Sequence, residues 1–194
     1  MITVAILGLG ARGGDVYGTL INDRKDEYKI VCLCDKKTDK LERFSEQFGV
    51  GKNNLFTDED VFFKEKRADL LVIATQDKDH IGHLIKALKT GYDVLVEKPV
   101  CETEKECEDI LSVQKKYGGK VLVCHVLRFA PAFIKLGELL DKKVIGDLVA
   151  IDAVERVGFW HYCHSYVRGN WRNTFVAMPM ILAKFRVGFC RYTR

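Results

Sequence analysis

The chain has 194 residues, 47% of them hydrophobic and 30% charged, with a formal net charge of +4 at neutral pH. That composition is ordinary for a globular protein, and the length suffices for one good core and part of a second. No apolar run approaches the ~18 residues of a helical membrane span, so no membrane partner is expected.

The net charge is unevenly spread. All 27 acidic residues lie at or before Glu155 together with 24 of the 31 basic ones, so the first 155 residues carry −3 and the last 39 carry +7. The opening "MITVAILGLG" is apolar but lacks a basic leader and runs into a glycine motif, so no signal peptide is expected. Seven cysteines (32, 34, 101, 107, 124, 163 and 190) are odd in number and form no CxxC pair. Reduced thiols in a cytoplasmic protein are the expectation.

In chain order, "ITVAILG" (2–8) reads as a strand that stops at glycine. Residues 11–22 read as a helix weakened by Gly14 and Gly18. "KIVCLCD" (29–35) is a second strand, with Cys32 and Cys34 on one face as small apolar residues. "TDKLERFSEQFG" (38–49) is a capped amphipathic helix ending at Gly49. After a short acidic segment, "ADLLVIAT" (68–75) is another buried strand. "DHIGHLIKALKTG" (79–91) places apolar residues at 81, 84, 85 and 88 on one helical face, with Gly91 as its stop. "YDVLVEKP" (92–99) is a strand, cut off by Pro99. "TEKECEDILSVQKKYGG" (103–119) opens on a Thr-x-x-Glu capping box, and "KVLVCHV" (120–126) is one more strand.

Near-continuous apolar strands alternating with helices predict an α/β, doubly wound parallel sheet over residues 1–123. From residue 124 the rhythm changes. "RFAPAFIKLGELL" reads as a helix and "GDLVAIDAVERVGFW" as a long alternating strand, so 124–194 is expected to be an incomplete α+β second domain.

"GLGARG" sets Gly8, Gly10 and Gly13 in G-x-G-x-x-G spacing between a strand and a helix. In a dinucleotide site the first glycine makes the tight turn, the second lets backbone approach the pyrophosphate, and the third lets helix pack on strand. The helix N-terminus then faces the phosphates. Asp35 ends the second strand 22 residues past Gly13, placed to hydrogen-bond ribose hydroxyls and repel a 2′-phosphate. Arg12, Lys36 and Lys37 lie close by, so NAD is favoured while NADP stays open. Ligands of such sheets bind beyond the carboxyl ends of the strands. Thr75 and Gln76, Glu97 and Lys98, and His125 and Arg128 follow three successive strands there. His80 reads either as a site residue or as an exposed or capping histidine, and His83 and His125 fit the second description better.

The combination of "GLGARG", "ATQDKDH", "VEKPV" and "HVLRFAPAF" resembles the Gfo/Idh/MocA family of NAD(P)-dependent oxidoreductases, over residues 1 to about 184. The resemblance implies a Rossmann domain followed by an α/β domain that binds substrate and often forms the oligomer interface. It implies that Lys98, in the Glu97-Lys98-Pro99 motif, transfers a proton or anchors substrate beside the nicotinamide. It also implies that Thr75, His80, Glu97 and Arg128 line the cofactor site. Gln76 stands where many members carry proline. The chemistry suits a lysine: oxidising a secondary alcohol needs a base for the hydroxyl proton, and desolvation lowers an amine from its usual ~10.4 toward that use.

"GFWHYCHSYVRGNWRNT" (158–174) is dense in aromatic and basic residues. His161, Cys163 and His164 are too crowded for a metal site with no second ligand pair, so no metal is expected. Strand alternation would put Trp160, Tyr162 and His164 on one side. By the resemblance this is a substrate-side loop, with His164, Tyr166, Arg168 and Trp171 contacting a sugar or polyol. The basic tail lacks a nucleic-acid recognition motif, so no nucleic-acid partner is expected. Family members continue with an Asp and a His on a helix downstream. Here no Asp follows Asp152 and no His follows His164, so a truncated and inactive product is one expectation. A homo-oligomer is expected were the second domain complete. The reading is therefore an oxidoreductase of the sugar, cyclitol or polyol class, with a non-catalytic dinucleotide-binding module as the alternative.

Overall fold

The computed structural model describes residues 1–152, 154, 156, 158–163 and 168. The chain divides into two compact units, the first spanning Met1–Cys124 and the second beginning at His125.

The first unit is a six-stranded parallel sheet: β1 (Ile2–Leu7), β2 (Tyr28–Cys34), β3 (Leu55–Phe56), β4 (Leu70–Ile73), β5 (Asp93–Val96) and β6 (Val121–Val123). Its spatial order is β3-β2-β1-β4-β5-β6. Two-fold alternation along β1 explains the layering. Val4 and Ile6 face one core with Ile30, Leu33 and Val72, whereas Ala5 and Leu7 face the other with Leu71, Ile73, Val94 and Val96. Both faces must therefore be covered, and α2 (Thr38–Phe48) covers the first through Leu41, Phe44 and Phe48. On the second face lie α4 (His80–Thr90) and α5 (Glu104–Tyr117), through Leu84, Ala87, Leu88 and Ile110. Cys32 and Cys34 sit in that second core, where burial pushes both thiols up to about 12. They are small apolar residues in practice.

Five details differ from the expectations. The helix after β1 is π-helical over Ala11–Gly18 before becoming α1 (Thr19–Asn22). Gly14 and Gly18 do not merely weaken it. A Cβ on either would strike the ring of Phe44 or Phe48, so the glycines let α2 pack close. α2 starts at Thr38 rather than being capped by it, because Asp35 Oδ1 accepts from the Lys37 amide at 2.9 Å and begins the turn early. The buried stripe of α4 is His80, His83, Leu84, Ala87 and Leu88 instead of 81, 84, 85 and 88. Polar residues occupy an inner stripe when hydrogen bonds satisfy them. The two-residue strand β3 was not among the segments read as strands. The capping box of α5 forms as expected, with Thr103 Oγ1 accepting from the Glu106 amide at 3.2 Å and Glu106 Oε2 accepting from the Thr103 amide at 3.0 Å.

The short α3 (Glu59–Phe62) is pinned to α4. Glu59 accepts from His83 Nε2 and from Lys86 Nζ, both at 2.9 Å. Burial raises the Glu59 pKa, but the bonds from Lys86 and His83 outweigh it and hold the carboxyl at about 2.

In the second unit, a 3-10 turn (Val126–Phe129) precedes α6 (Pro131–Asp141) and α7 (Phe159–Tyr162). Pro131 opens α6 at a position where its missing N–H costs nothing. The strand expected over 146–160 does not form among the described residues, and Phe159–Tyr162 is a helical turn, which removes the alternation expected of Trp160 and Tyr162. Strand pattern alone cannot hold without a ladder partner.

Gly14→Ala should cost about 1–3 kcal/mol in urea unfolding through the clash with Phe44, and Phe44→Leu in the same chain should recover part of it. An unchanged midpoint in Gly14→Ala would refute the close packing. The Glu59 carboxyl is lower in the folded chain than the ~4.3 of a free glutamate, so it contributes stability above that value. The contribution is lost as pH falls toward about 2. Glu59→Gln should lower stability at neutral pH and flatten its decline over that acid window, read from urea midpoints at a series of pH values. Parallel curves for variant and wild type would contradict the assignment.

Candidate functional site

The carboxyl ends of β1, β4 and β5 lie side by side, since Leu7 pairs with Ile73 and Ile73 with Val96. The backbone ladder continues one step past each strand: the Ala74 amide donates to the Leu7 carbonyl, and the Glu97 amide to the Ile73 carbonyl, both at 2.9 Å. Three loops therefore leave the sheet along one edge. They carry the glycine motif, Thr75-Gln76 and Glu97-Lys98.

Gly8 takes φ +92°, a left-handed conformation, and a Cβ there would lie 2.6 Å from the Ala74 carbonyl oxygen. A Cβ on Gly13 would collide with the Gly8 carbonyl oxygen. Gly10 is the opposite case: its backbone is extended and a Cβ there meets nothing within 4 Å. The loop is thus packed tight on the protein side and open at its middle glycine.

Asp35 does more than face this loop. Its Oδ2 accepts from the Leu9 amide at 2.7 Å, which ties the end of β2 to the glycine turn, and Lys40 Nζ lies 3.7 Å away. Each carboxylate oxygen has lone pairs to spare for a ligand hydroxyl.

Glu97 is 7% exposed. Its Oε1 accepts from the Tyr17 hydroxyl at 2.6 Å and lies 4.0 Å from Arg12 Nε, while Oε2 accepts from the Lys98 amide at 3.1 Å. Burial, then hydrogen bonds with Cys124 and Glu97, raise the Tyr17 hydroxyl far above its ordinary range and keep it a donor. Tyr17 is the residue that sequence reasoning missed. A tyrosine four positions past the last motif glycine reads as a core residue, and its partner is 80 positions away.

Lys98 stands at the surface of this edge, following β5, with its neighbour Glu97 bound to Arg12 and Tyr17 of the glycine segment. It is exposed, while Val96 and Glu97 before it are buried. The protein alone does not desolvate this amine.

The two histidines of α4 brace the edge from behind. His80 is 1% exposed, with Nδ1 2.7 Å from the Pro99 carbonyl and Nε2 3.2 Å from the Thr75 carbonyl. It links the two loops through their backbones, and is neither exposed nor an end cap. His83, also buried, was expected to be exposed or capping. Donating from Nε2 to Glu59 leaves its Nδ1 to accept from Thr75 Oγ1 at 3.0 Å. Thr75 Oγ1 is thereby engaged with the scaffold on its α4 side. Gln76 Oε1 is buried without a hydrogen-bond partner among the described residues. A buried amide oxygen with nothing to accept is costly, and it lies on the loop where a ligand donor would satisfy it.

Arg128 lies on the 3-10 turn of the second unit and is exposed. Arg168 is exposed, its amide donating to the Cys163 carbonyl at 3.0 Å. His164, Tyr166 and Trp171 lie outside the described residues. Among the described residues no three His, Cys, Asp or Glu side chains gather as metal ligands, and no helix is long and apolar enough to cross a membrane.

Comparison with known proteins agrees with this geometry. The sequence profile described as the oxidoreductase family, NAD-binding Rossmann fold, of the Gfo/Idh/MocA group matches residues 2–125. Oxidoreductase P35 of Formosa agariphila is 28% identical over 123 residues, covering 63% of this chain and 38% of that protein. The inositol 2-dehydrogenase/D-chiro-inositol 3-dehydrogenase of Lactiplantibacillus plantarum is 25% identical over 150 residues, 77% of this chain and 42% of the relative. The crystal structure of scyllo-inositol dehydrogenase from Lactobacillus casei with bound NAD(H) and scyllo-inositol superposes with a TM-score of 0.69 at 24% identity. It covers 76% of this chain and 43% of its own. The chain thus spans about two fifths of the length of these relatives. With more than half of its residues matched by that profile, the chain belongs to the Gfo/Idh/MocA oxidoreductase family, and its first unit is the family's NAD-binding Rossmann fold.

Proposed function

We propose that the Gly8–Gly13 loop cradles the pyrophosphate of NAD(H), and that in the whole protein Lys98 exchanges a proton with a hydroxyl of a sugar, cyclitol or related polyol. The observation that carries this reading is the contrast between glycines: Gly8 and Gly13 are closed by their neighbours, while Gly10 opens onto free space. An open middle glycine between two closed ones is what close approach of a pyrophosphate to the backbone requires. The buried, unpartnered Gln76 Oε1 on the adjoining loop supports the same reading.

The bound nicotinamide would supply the hydride acceptor or donor. The chain's own residues do the rest. Asp35 offers acceptors to the ribose and opposes a 2′-phosphate, which favours NAD over NADP even with Arg12, Lys36 and Lys37 nearby. Thr75 offers lone pairs. Glu97, held by Tyr17, fixes the backbone at Lys98, and the exposed amine takes or returns the hydroxyl proton. Bound cofactor and substrate would provide the desolvation that the protein does not. His164, Tyr166, Arg168 and Trp171 are proposed on the substrate side, and self-association through the second domain is proposed for the whole protein. The polyol class rests on relatives such as the inositol dehydrogenase of Lactiplantibacillus plantarum.

Gly10→Ala should leave the unfolding midpoint within ~0.5 kcal/mol of wild type, because its Cβ meets no neighbour. It should weaken NADH binding, followed by fluorescence, at least ~10-fold. Equal NADH affinity in the two proteins would end the proposal. NADPH binding far tighter than NADH would overturn the preference for NAD. Over a polyol panel, Lys98→Ala should keep NADH affinity and lose turnover by ~10²–10⁴-fold. A fully active variant would remove Lys98 from the chemistry, and NADH binding by wild type with no turnover on any polyol would select a non-catalytic dinucleotide-binding module.

A further inference from the structure

Three residues beyond Lys98 the chain places two thiols together. The Cys101 and Cys107 sulfurs are 2.8 Å apart, at the turn between the Glu97-Lys98-Pro99 segment and α5. Their surroundings differ. Cys107 is exposed on the first turn of the helix, whereas Cys101 is partly buried and packs against the core beneath α4 and α5. Burial and the neighbouring Cys107 push the Cys101 thiol up to about 12.

The connection between them is rigid. Glu106 Oε2 accepts from the Glu102 and Thr103 amides at 2.7 and 3.0 Å, and Thr103 Oγ1 holds the Glu106 amide. On the other side, His80 fixes the Pro99 carbonyl at 2.7 Å. The capping box thus anchors the turn on which the two sulfurs lie 2.8 Å apart. Neither thiol has a part in the dinucleotide reading, and of the remaining described cysteines those at 32, 34 and 124 are buried while Cys163, partly exposed, belongs to the second unit.

We propose that Cys101 and Cys107 form a reversible dithiol–disulfide site, oxidised by peroxides, that staples the segment carrying Lys98 to the first turn of α5. The exposed Cys107 sulfur, as thiolate, attacks one oxygen of hydrogen peroxide. The O–O bond breaks, hydroxide departs and takes up the proton released when the thiol ionised, forming water, and Cys107 becomes a sulfenic acid. The Cys101 sulfur then attacks the Cys107 sulfur and expels hydroxide, which takes the Cys101 proton to form a second water. Two thiols and one peroxide yield one disulfide and two waters. A small-molecule dithiol reverses the step by exchange. The disulfide stands independently of NAD(H) binding, and only its consequence for Lys98 as a proton-transfer group rests on that reading.

The test uses the full chain treated with hydrogen peroxide, alkylated under denaturing conditions and digested with trypsin. Lys105 lies between the two cysteines, so they fall in different peptides. The expected product is the Cys101 peptide joined to the Cys107 peptide, released by dithiothreitol, with two of the seven thiols lost to alkylation. It should be absent in Cys101→Ser and in Cys107→Ser. In the oxidised chain, amide exchange over residues 98–107 should slow at least ~10-fold. Separate peptides with Cys107 driven to sulfinic acid, or linkage of either cysteine to a different partner, would overturn the site. Formation of the disulfide with unchanged exchange would overturn its stapling role.

Discussion

A carboxylate buried at the end of β5 is the constraint on which the rest of the edge depends. Removing the charge of Glu97 from water is costly unless donors surround it, and breaking such a set leaves an uncompensated buried charge. Three donors meet the requirement here: the Tyr17 hydroxyl, the Lys98 amide and, at longer range, the Arg12 guanidinium. Two come from the helical segment after β1, and the third from the residue next to Glu97 itself. The carboxylate is satisfied only when the segment after β1 and the end of β5 are both in position, so the same group that would destabilise a misfolded edge registers a correct one. Lys98 inherits its position from that arrangement.

The histidines show how the same edge is braced from inside. A buried imidazole must place its N–H on an acceptor, and His80 has a backbone carbonyl of each loop it joins within reach, Pro99 at Nδ1 and Thr75 at Nε2. His83 meets a hydroxyl and a carboxylate, linking Thr75 to α3. The imidazoles are therefore committed to the scaffold, whereas the Lys98 amine stays exposed. That division has a physical logic. Scaffold groups need low exposure and fixed partners, whereas a group that meets a substrate must remain accessible until the substrate excludes water.

The cysteines divide in a similar way. Cys32 and Cys34 alternate inward from β2 into a core where burial disfavours the thiolate, and they pack like small hydrophobes. Cys101 and Cys107 stand on a helix N-terminus built from acidic capping residues, with one sulfur at the surface. Residue type alone does not separate these two pairs. The environment does.

Much of the first unit was legible without coordinates. Strands without polar interruption must be buried on both faces, glycines with φ above zero end helices at Gly49 and Gly91, and a Thr-x-x-Glu capping box closes on itself within four residues. These are local or periodic properties, so composition and spacing determine them, and with them the parallel sheet and the glycine turn beyond β1. What only the tertiary structure decided is which side chains meet across large separations: Tyr17 with Glu97, Thr75 and His83 with Glu59, Asp35 with the Leu9 amide. It also decided that Lys98 is exposed and that residues 147–152 form no strand. The physical reason is common to all of these. A hydrogen bond between distant residues, the burial of one side chain, or a strand's need for a partner depends on what the remainder of the chain brings alongside, and no window of sequence contains that information.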